Sequence, residues 1–366
     1  MKIGLVVPGG VDRSGRYRVI PCLLWLIERL ARQHEVHVVA LYQEPTPSRY
    51  ELHGATVHNI GIGATRWRAL RRIVDENRAA SFDVLHAFWA MPPGVIAACA
   101  GWLLRCPVVL HLGGGELIAM ADIGYGGRRT LRGRTQVRVA FLGAGRVTAA
   151  STIMVERAAS FGIEAEHIPL GVDLRSWPVL EPRQRTGPAR LLHVGSVNRV
   201  KDQRTLLEAV ASLAAANVEF HMDIVGEDTL SGEMQGLARS LDIPQYVTFH
   251  GFLPHSRLRD FFDAAHLLVV SSRHEAGPLV FLEAAIAGVP TVGTAVGHVR
   301  DFAPGAAVAV PIGDPDELAR QIADLLGDED RRVSLARAAQ QRAVREDADW
   351  TARRFEEIYR ELTDAR

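Results

Sequence analysis

The chain has 366 residues, 48% of them apolar, with 42 basic and 42 acidic side chains. Such a length holds two α/β domains with substantial cores, the composition is that of a globular protein, and the longest apolar window, residues 94–104, is too short to cross a membrane. The neutral total hides an asymmetry: residues 1–172 carry 20 Lys and Arg against 13 Asp and Glu, and the remainder 22 against 29. A basic first half suits an anionic acceptor, a membrane surface or an interdomain field. Nucleic acid is not expected as a partner, because the basic runs lack interleaved aromatics and any binding motif. Cys22, Cys99 and Cys106 lie in apolar surroundings without metal-ligand spacing and read as thiols of a reducing cytosol. Residues 1–7 run directly into Pro8-Gly9-Gly10 and read as a first strand, not a signal peptide, so a cytoplasmic protein is expected. Forty of the basic residues are arginine and only Lys2 and Lys201 are lysine, which marks an interior lysine as a chosen point charge.

In chain order, residues 3–7 form a strand, residues 9–15 a glycine-rich loop containing Gly10, and residues 17–33 a helix. The loop is not Gly-x-Gly-x-x-Gly, which disfavours a dinucleotide oxidoreductase. Strands follow at 36–41 and 56–60, then a helix at 65–79 whose arginines fit a solvated face. Strands at 83–88 and 107–111 bring His86 and His111 to the ends where open α/β sheets bind ligands, although a lone histidine there is often structural. After His111 come Gly113, Gly114 and Gly115, which let backbone approach a ligand closely, and Glu116, able to bind a hydroxyl. Residues 122–138 read as an irregular loop whose arginines, Arg128 and Arg129 among them, suit an acceptor phosphate or a solvated flap. A strand at 146–149 and a helix from Ser151 complete the first domain, and the proline-containing stretch 173–188 reads as a linker.

The second domain opens with a strand at 190–195, a loop from Ser196 through Arg199 to Lys201, and a helix from about Gln203. A cation at such a turn beside a helix N-terminus suits a diphosphate. Strands at 218–225 and 246–250 end at Gly226 and just before Phe252. Residues 266–271 form a buried parallel strand, followed by Glu275, the Gly277-Pro278 turn, and a helix carrying Leu279, Val280 and Glu283. The turn presents a helix N-terminus to an anion, and a carboxylate accepts both hydrogens of a vicinal diol. The chain is helical from Asp316, with terminal helices at 333–364.

The stretch 271–298 resembles the Glu-x7-Glu motif of the retaining glycosyltransferases of family 4, with Glu-Ala-Gly-Pro where the family usually has Glu-Gly-Phe-Gly. That resemblance implies the GT-B architecture: two Rossmann-like α/β domains with parallel sheets facing across a cleft, and a C-terminal helix returning to the first domain. It divides the chain into an acceptor-side domain at 1–172, the linker, a nucleotide-sugar-binding domain at 189–345 and a returning helix at 346–366. It implies that Glu275 contacts the donor sugar and Glu283 the ribose. Amides of Gly277, Leu279 and Val280 face sugar and diphosphate, Gly10 lies by the phosphates, and Lys201 and Arg199 hold the diphosphate. Gly195 and Ser196 lie in the loop leading to Lys201, Gly226 in a second turn near the diphosphate, and Phe252 by the base. His86, His111, residues 113–116, Arg128 and Arg129 fall on the acceptor side. The expected reaction is metal-independent transfer of a sugar from a nucleotide-diphosphate donor to a hydroxyl of a glycan, lipid or small molecule. No further cofactor is expected, and contact with the inner membrane face is expected to be peripheral. A sugar-nucleotide 2-epimerase and a non-catalytic nucleotide-sugar-binding protein are the alternatives. Three Asp-x-Asp triplets, at 314–316, 328–330 and 347–349, lie in the helical C-terminal region and are expected to cap helices, not to bind metal.

Overall fold

The computed structural model describes residues 1–364. The chain forms two compact units: Met1–Gly171 with the segment from Glu346 onward, and Val172–Arg345.

The first unit runs β1 (Lys2–Val7), α1 (Pro21–Leu30), β2 (Glu35–Ala40), β3 (Ser48–Leu52), β4 (Ala55–Asn59), α2 (Thr65–Ala79), β5 (Val84–Phe88), α3 (Val95–Leu104), β6 (Val108–Leu112), α4 (Leu131–Gly143), β7 (Arg146–Ala149), α5 (Thr152–Ala159) and β8 (Glu166–His167). Its sheet has the order β3-β4-β2-β1-β5-β6-β7-β8. Every residue of β1 is buried, and from Ile3 to Val7 it is the apolar run that a strand covered on both faces requires. The sequence reading missed β3, which is antiparallel to β4. Its polar Ser-Arg-Tyr-Glu-Leu run lies at the sheet edge, and the connecting His53 and Gly54 both take positive φ, at 49° and 83°, as a tight two-residue hairpin demands. Two further expectations change. Helix α1 starts at Pro21, because proline cannot sit inside a helix that begins at residue 17. The arginine-rich stretch 122–138 is irregular only in its first part, for α4 starts at Leu131, where the Thr130 hydroxyl caps the Gly133 N–H at 3.0 Å.

The second unit runs β9 (Ala189–Val194), α6 (Gln203–Ala215), β10 (Phe220–Val225), α7 (Glu233–Ser240), β11 (Val247–Gly251), α8 (His255–Ala264), β12 (Leu267–Val270), α9 (Leu279–Ile286), β13 (Thr291–Thr294), α10 (Gly297–Phe302), β14 (Val308–Val310), α11 (Pro315–Gly327) and α12 (Glu329–Arg345). Its six strands lie in the order β11-β10-β9-β12-β13-β14, all parallel. The expected linker at 173–188 is not free. Trp177 is buried, its indole N–H donates to the Glu283 carbonyl at 2.9 Å, and Leu180 donates to the Ile286 carbonyl at 3.1 Å.

The last helix, α13 (Ala348–Asp364), belongs to the first unit. Ala352, Phe355, Ile358 and Tyr359 are buried in the core built by β1, β2 and β5. The points where the chain leaves and re-enters this unit lie side by side. A Cβ on Gly171 would fall 2.2 Å from the Glu346 carbonyl oxygen, so only glycine fits there.

Candidate active site

In the second unit, β9 and β12 are parallel neighbours, so the loops leaving their C-terminal ends meet. The loop after β9 is held by its own polar groups. Val197 donates to the Glu227 carbonyl at 2.8 Å, and the Asn198 side chain accepts from the amides of Val200 and Lys201 at 3.1 and 3.0 Å. The loop after β12 closes on it, with the Ser271 hydroxyl donating to the Lys201 carbonyl at 2.8 Å and the Arg273 amide to the Val200 carbonyl at 2.8 Å. Backbone fixed in this way aims the Lys201 ammonium at Glu275, 2.5 Å away, and the Ser272 hydroxyl donates to the same carboxylate oxygen at 2.6 Å. Burial pushes the Glu275 carboxyl up, but the charge of Lys201 and the two hydrogen bonds outweigh it and hold the group below its ordinary range. The Glu275 carboxyl is therefore held in its charged form, and the Lys201 side chain keeps 23% exposure, enough for a ligand to share it.

Glycines give this pair its room. A Cβ on Gly195 would lie 3.3 Å from the Lys201 stem, and one on Gly226, where φ is 156°, would lie 2.0 Å from the Gly195 carbonyl oxygen. After Glu275, Gly277 and Pro278 lead into α9, whose first-turn amides, those of Leu279 and Val280 included, have no acceptor within the helix. Ser196 lies in the β9 loop, its carbonyl accepting from Gln203 at 3.1 Å, and the Phe252 ring, just past β11, is 58% exposed.

Two second-unit expectations are corrected. Arg199 does not join Lys201. Its guanidinium forms a two-point bond with Glu233 at the start of α7, at 3.0 and 2.7 Å, because that carboxylate offers the planar fork a matching partner. Glu283 is not an open carboxylate. It is 2% exposed on α9, and the His255 Nε2 lies 2.5 Å from its oxygen. His255 stacks on Trp177 with ring centroids 5.0 Å apart. A ribose diol at Glu283 has to share or displace that imidazole. The sequence reading missed His255, since nothing in a chain order 28 residues apart joins the two. Trp177, an aromatic in an otherwise polar stretch, was the available signal.

The first unit corrects more. His86 is fully buried, its Nδ1 lies 2.6 Å from the Tyr359 hydroxyl, and its ring packs against Phe88 and Phe355. Burial lowers its pKa well below the usual histidine value, so it is a neutral core residue beneath α13. His111 is equally buried, 2.9 Å from the Thr148 hydroxyl, with its pKa lowered to about 3 by burial. Neither imidazole lines a cleft. The Gly10 amide is taken by the Gln43 side chain at 2.7 Å, and a Cβ there would meet Ile20 at 2.5 Å, so that glycine serves packing and leaves no amide for a phosphate.

The glycine run approaches rings. A Cβ on Gly114 would lie 2.7 Å from the Trp89 indole and one on Gly115 2.6 Å from the Tyr125 ring, while Gly113 rests over His111. Glu116 turns back on the loop, accepting from the Gly113 amide at 3.1 Å, and burial raises its pKa to about 7. Trp89, Met91, Gly115, Glu116, Tyr125, Gly126 and Gly127 line a cavity of about 220 Å³. Trp89 holds φ at +71°, an uncommon conformation for a bulky residue. Arg128 lies 3.8 Å over the Phe161 ring and lines a second cavity of about 460 Å³ with Arg134 and Arg138, whereas Arg129 lies by Gly124.

The three aspartate triplets cap helices. Asp314, Asp328 and Asp347 accept from the amides of Glu317, Arg331 and Trp350 at 2.9, 2.9 and 2.8 Å. No helix among the described residues is long and apolar enough to cross a membrane.

Comparison with known proteins agrees with this layout. Residues 19–171 match the family described as glycosyl transferase 4-like domain, and residues 181–342 match glycosyl transferases group 1. The chain is 32% identical over 182 residues to glycogen synthase of Mycobacterium tuberculosis, covering 49% of this chain and 44% of that protein. It is 32% identical over 212 residues to D-inositol 3-phosphate glycosyltransferase of Thermobispora bispora, covering 53% and 50%. The matches thus span about half the length of these curated relatives. Among solved structures, sucrose-phosphate synthase of Thermosynechococcus elongatus shares the fold over 100% of both chains with a TM-score of 0.82 at 18% identity. HepE of Anabaena, solved with UDP-glucose, does so over 98% of this chain and 99% of its own with a TM-score of 0.76, also at 18% identity. With one family domain matched in each unit and the fold of the whole shared, the chain belongs to the GT-B glycosyltransferases of the family 4 type.

Proposed function

We propose that the protein is a retaining glycosyltransferase that moves a hexosyl group from a nucleoside-diphosphate sugar to an acceptor hydroxyl. The contact between Lys201 and Glu275 carries this reading, because it sets a cation and an anion side by side at a helix N-terminus. Transfer passes through a cationic sugar and a departing diphosphate. Lys201 and the first amides of α9 stabilise the charge growing on the diphosphate, while Glu275 holds sugar hydroxyls on the other side. Donor binding draws the Lys201 ammonium partly from Glu275 to phosphate, so the pair acts as a preset socket. Transfer without a carboxylate nucleophile fits a front-face route in which the leaving phosphate helps deprotonate the acceptor. The chemical step needs no metal and no cofactor beyond the donor, since Lys201 supplies the cation that an Asp-bound metal would otherwise provide. UDP-glucose is the first probe, because the related fold of HepE was solved with it. Incubation with a panel of nucleotide sugars, with the product anomer read by NMR, tests the reading. A product of retained configuration, formed at undiminished rate after chelation, supports it; inversion or strict dependence on added manganese refutes it.

For the acceptor, we propose a polyol bearing a phosphate. Trp89 and Tyr125 line one cavity of the first unit, Arg128, Arg134 and Arg138 line a second, and relatives are named D-inositol 3-phosphate glycosyltransferases after such a compound. A phosphate on a lipid at a membrane surface has the same chemistry, reached by peripheral contact. Rates with a soluble inositol phosphate and with anionic vesicles separate the two sources. A neutral glycan accepted as readily as either would remove the phosphate from the proposal.

A further inference from the structure

We infer that His37, His58 and Glu76 form a binding site for a divalent first-row transition metal ion, with zinc the best-fitting class. The three are far apart in sequence, on β2, β4 and α2, and the fold brings them together in the first unit, whereas Lys201 and Glu275 belong to the second. His37 Nδ1 lies 3.0 Å from His58 Nε2 and 3.6 Å from a Glu76 oxygen, and His58 Nε2 lies 3.7 Å from the other Glu76 oxygen. A tetrahedral zinc ion with ligand distances of about 2.0–2.1 Å keeps its ligand atoms roughly 3.3 Å apart; the two nitrogens already lie that close, each is within 3.7 Å of one Glu76 oxygen, and one atom from each of the three residues lies within 4.8 Å of the others. Among the described residues this is the one group of three such side chains whose ligand atoms converge.

The surroundings already orient the ligands. Glu35 accepts at 2.8 Å from His37 Nε2, which assigns the proton to that nitrogen and leaves the Nδ1 lone pair facing His58. This carboxylate–histidine arrangement is what zinc-bound imidazoles use to fix tautomer and orientation. Lys2, the other of the chain's two lysines, donates to the Glu76 carbonyl at 2.9 Å and lies 3.5 Å from Glu35, clamping β1, β2 and α2 around the cluster. The nearest opposing charge is Arg72, 3.4 Å from a Glu76 oxygen, and Arg49, Arg68 and Arg71 line the adjoining cavity. The Arg72 guanidinium is half exposed and pairs across one helical turn, a weak interaction in water, so an ion readily takes over the carboxylate. Without an ion, the stacked imidazoles, their planes 8° apart, share one hydrogen bond. With one, three elements are tied at a single point, and a cavity of about 460 Å³ lined by His58 and Arg72 admits a water as fourth ligand. The role is structural, holding α2 on the sheet.

The test uses the full chain, stripped with chelator, desalted and titrated with zinc by calorimetry and metal analysis. One equivalent per chain is expected, with a rise in melting temperature, and His58→Gln abolishes both. Glu35→Gln, a half-exposed position outside the ligand set, keeps the fold and weakens zinc binding about 10–100-fold. Cobalt in place of zinc is expected to give the bands of a tetrahedral nitrogen–oxygen site without thiolate charge transfer. If the stripped chain binds no stoichiometric zinc, if Glu35→Gln and His58→Gln bind it as tightly as the parent, or if cobalt reports cysteine ligation, the site is a hydrogen-bonded cluster and the inference is wrong.

Discussion

Lys201 carries the sharpest expectations, because its neighbours fix it so fully. Lys201→Ala removes charge that matters most as the diphosphate departs, so turnover falls by about a hundredfold or more, corresponding to roughly 3 kcal/mol of electrostatic stabilisation. Glu275 loses its buried partner in the same variant, so the second unit is expected to lose about 1–3 kcal/mol as well, and a larger loss of stability with normal turnover would make the residue structural. His255→Ala strands the buried Glu283 carboxylate without its partner. We expect the second unit to lose about 1–3 kcal/mol and the donor KM to rise more than kcat falls, with His255→Gln restoring part of both. The significance of Lys201 was legible because one of only two lysines beside 40 arginines is a chemical choice. The pairing of Arg199 with Glu233 and of Glu283 with His255 was not, since each depends on which loop the fold sets opposite.

Elements were read unevenly, for physical reasons. The strand–turn–helix units of the second unit appear in the sequence because buried parallel strands are continuous apolar runs with turn residues at their ends. The edge strand β3 and helix α4 lack that signal, being polar, arginine-rich and stabilised by a hairpin partner and a threonine cap. The loop between β6 and α4 makes a prediction of its own through Glu116. Its carboxyl pKa is raised from 4.5 to about 7 in the fold, chiefly by burial. A raised carboxyl stabilises the fold only while protonated. Its contribution is complete below pH 4.5, falls as pH rises, and is lost above pH 7. Glu116→Gln keeps an acceptor for the Gly113 amide without the charge. The variant's stability relative to the parent therefore climbs between pH 4.5 and 7, by about 3 kcal/mol from the 1.36 kcal/mol per unit that links pKa to stability. A flat difference across that range would mean Glu116 is solvated.

At the scale of the whole molecule, a two-domain chain was evident from length and composition, but the role of its end was clear only in part. A returning helix implied contact with the first domain, yet the two histidines at strand ends looked like cleft residues because sequence does not show which strand end a later helix covers. The structure has Phe355 and Tyr359 packed on His86 and Phe88. Phe355→Ala should thus cost the first unit about 3–5 kcal/mol, read as an earlier unfolding transition while donor-induced stabilisation of the second unit persists. The central claim, that the socket of Lys201, Glu275 and the α9 N-terminus holds a nucleoside-diphosphate sugar, is tested most directly by calorimetric titration of UDP-glucose and related nucleotide sugars into the parent chain and Lys201→Ala. The account predicts one saturable site per parent chain for at least one of these sugars, with affinity at least about tenfold weaker in the variant, the scale of one charge-assisted bond. Equal affinity in the two proteins, or no saturable binding of any nucleotide sugar to the parent, would contradict it.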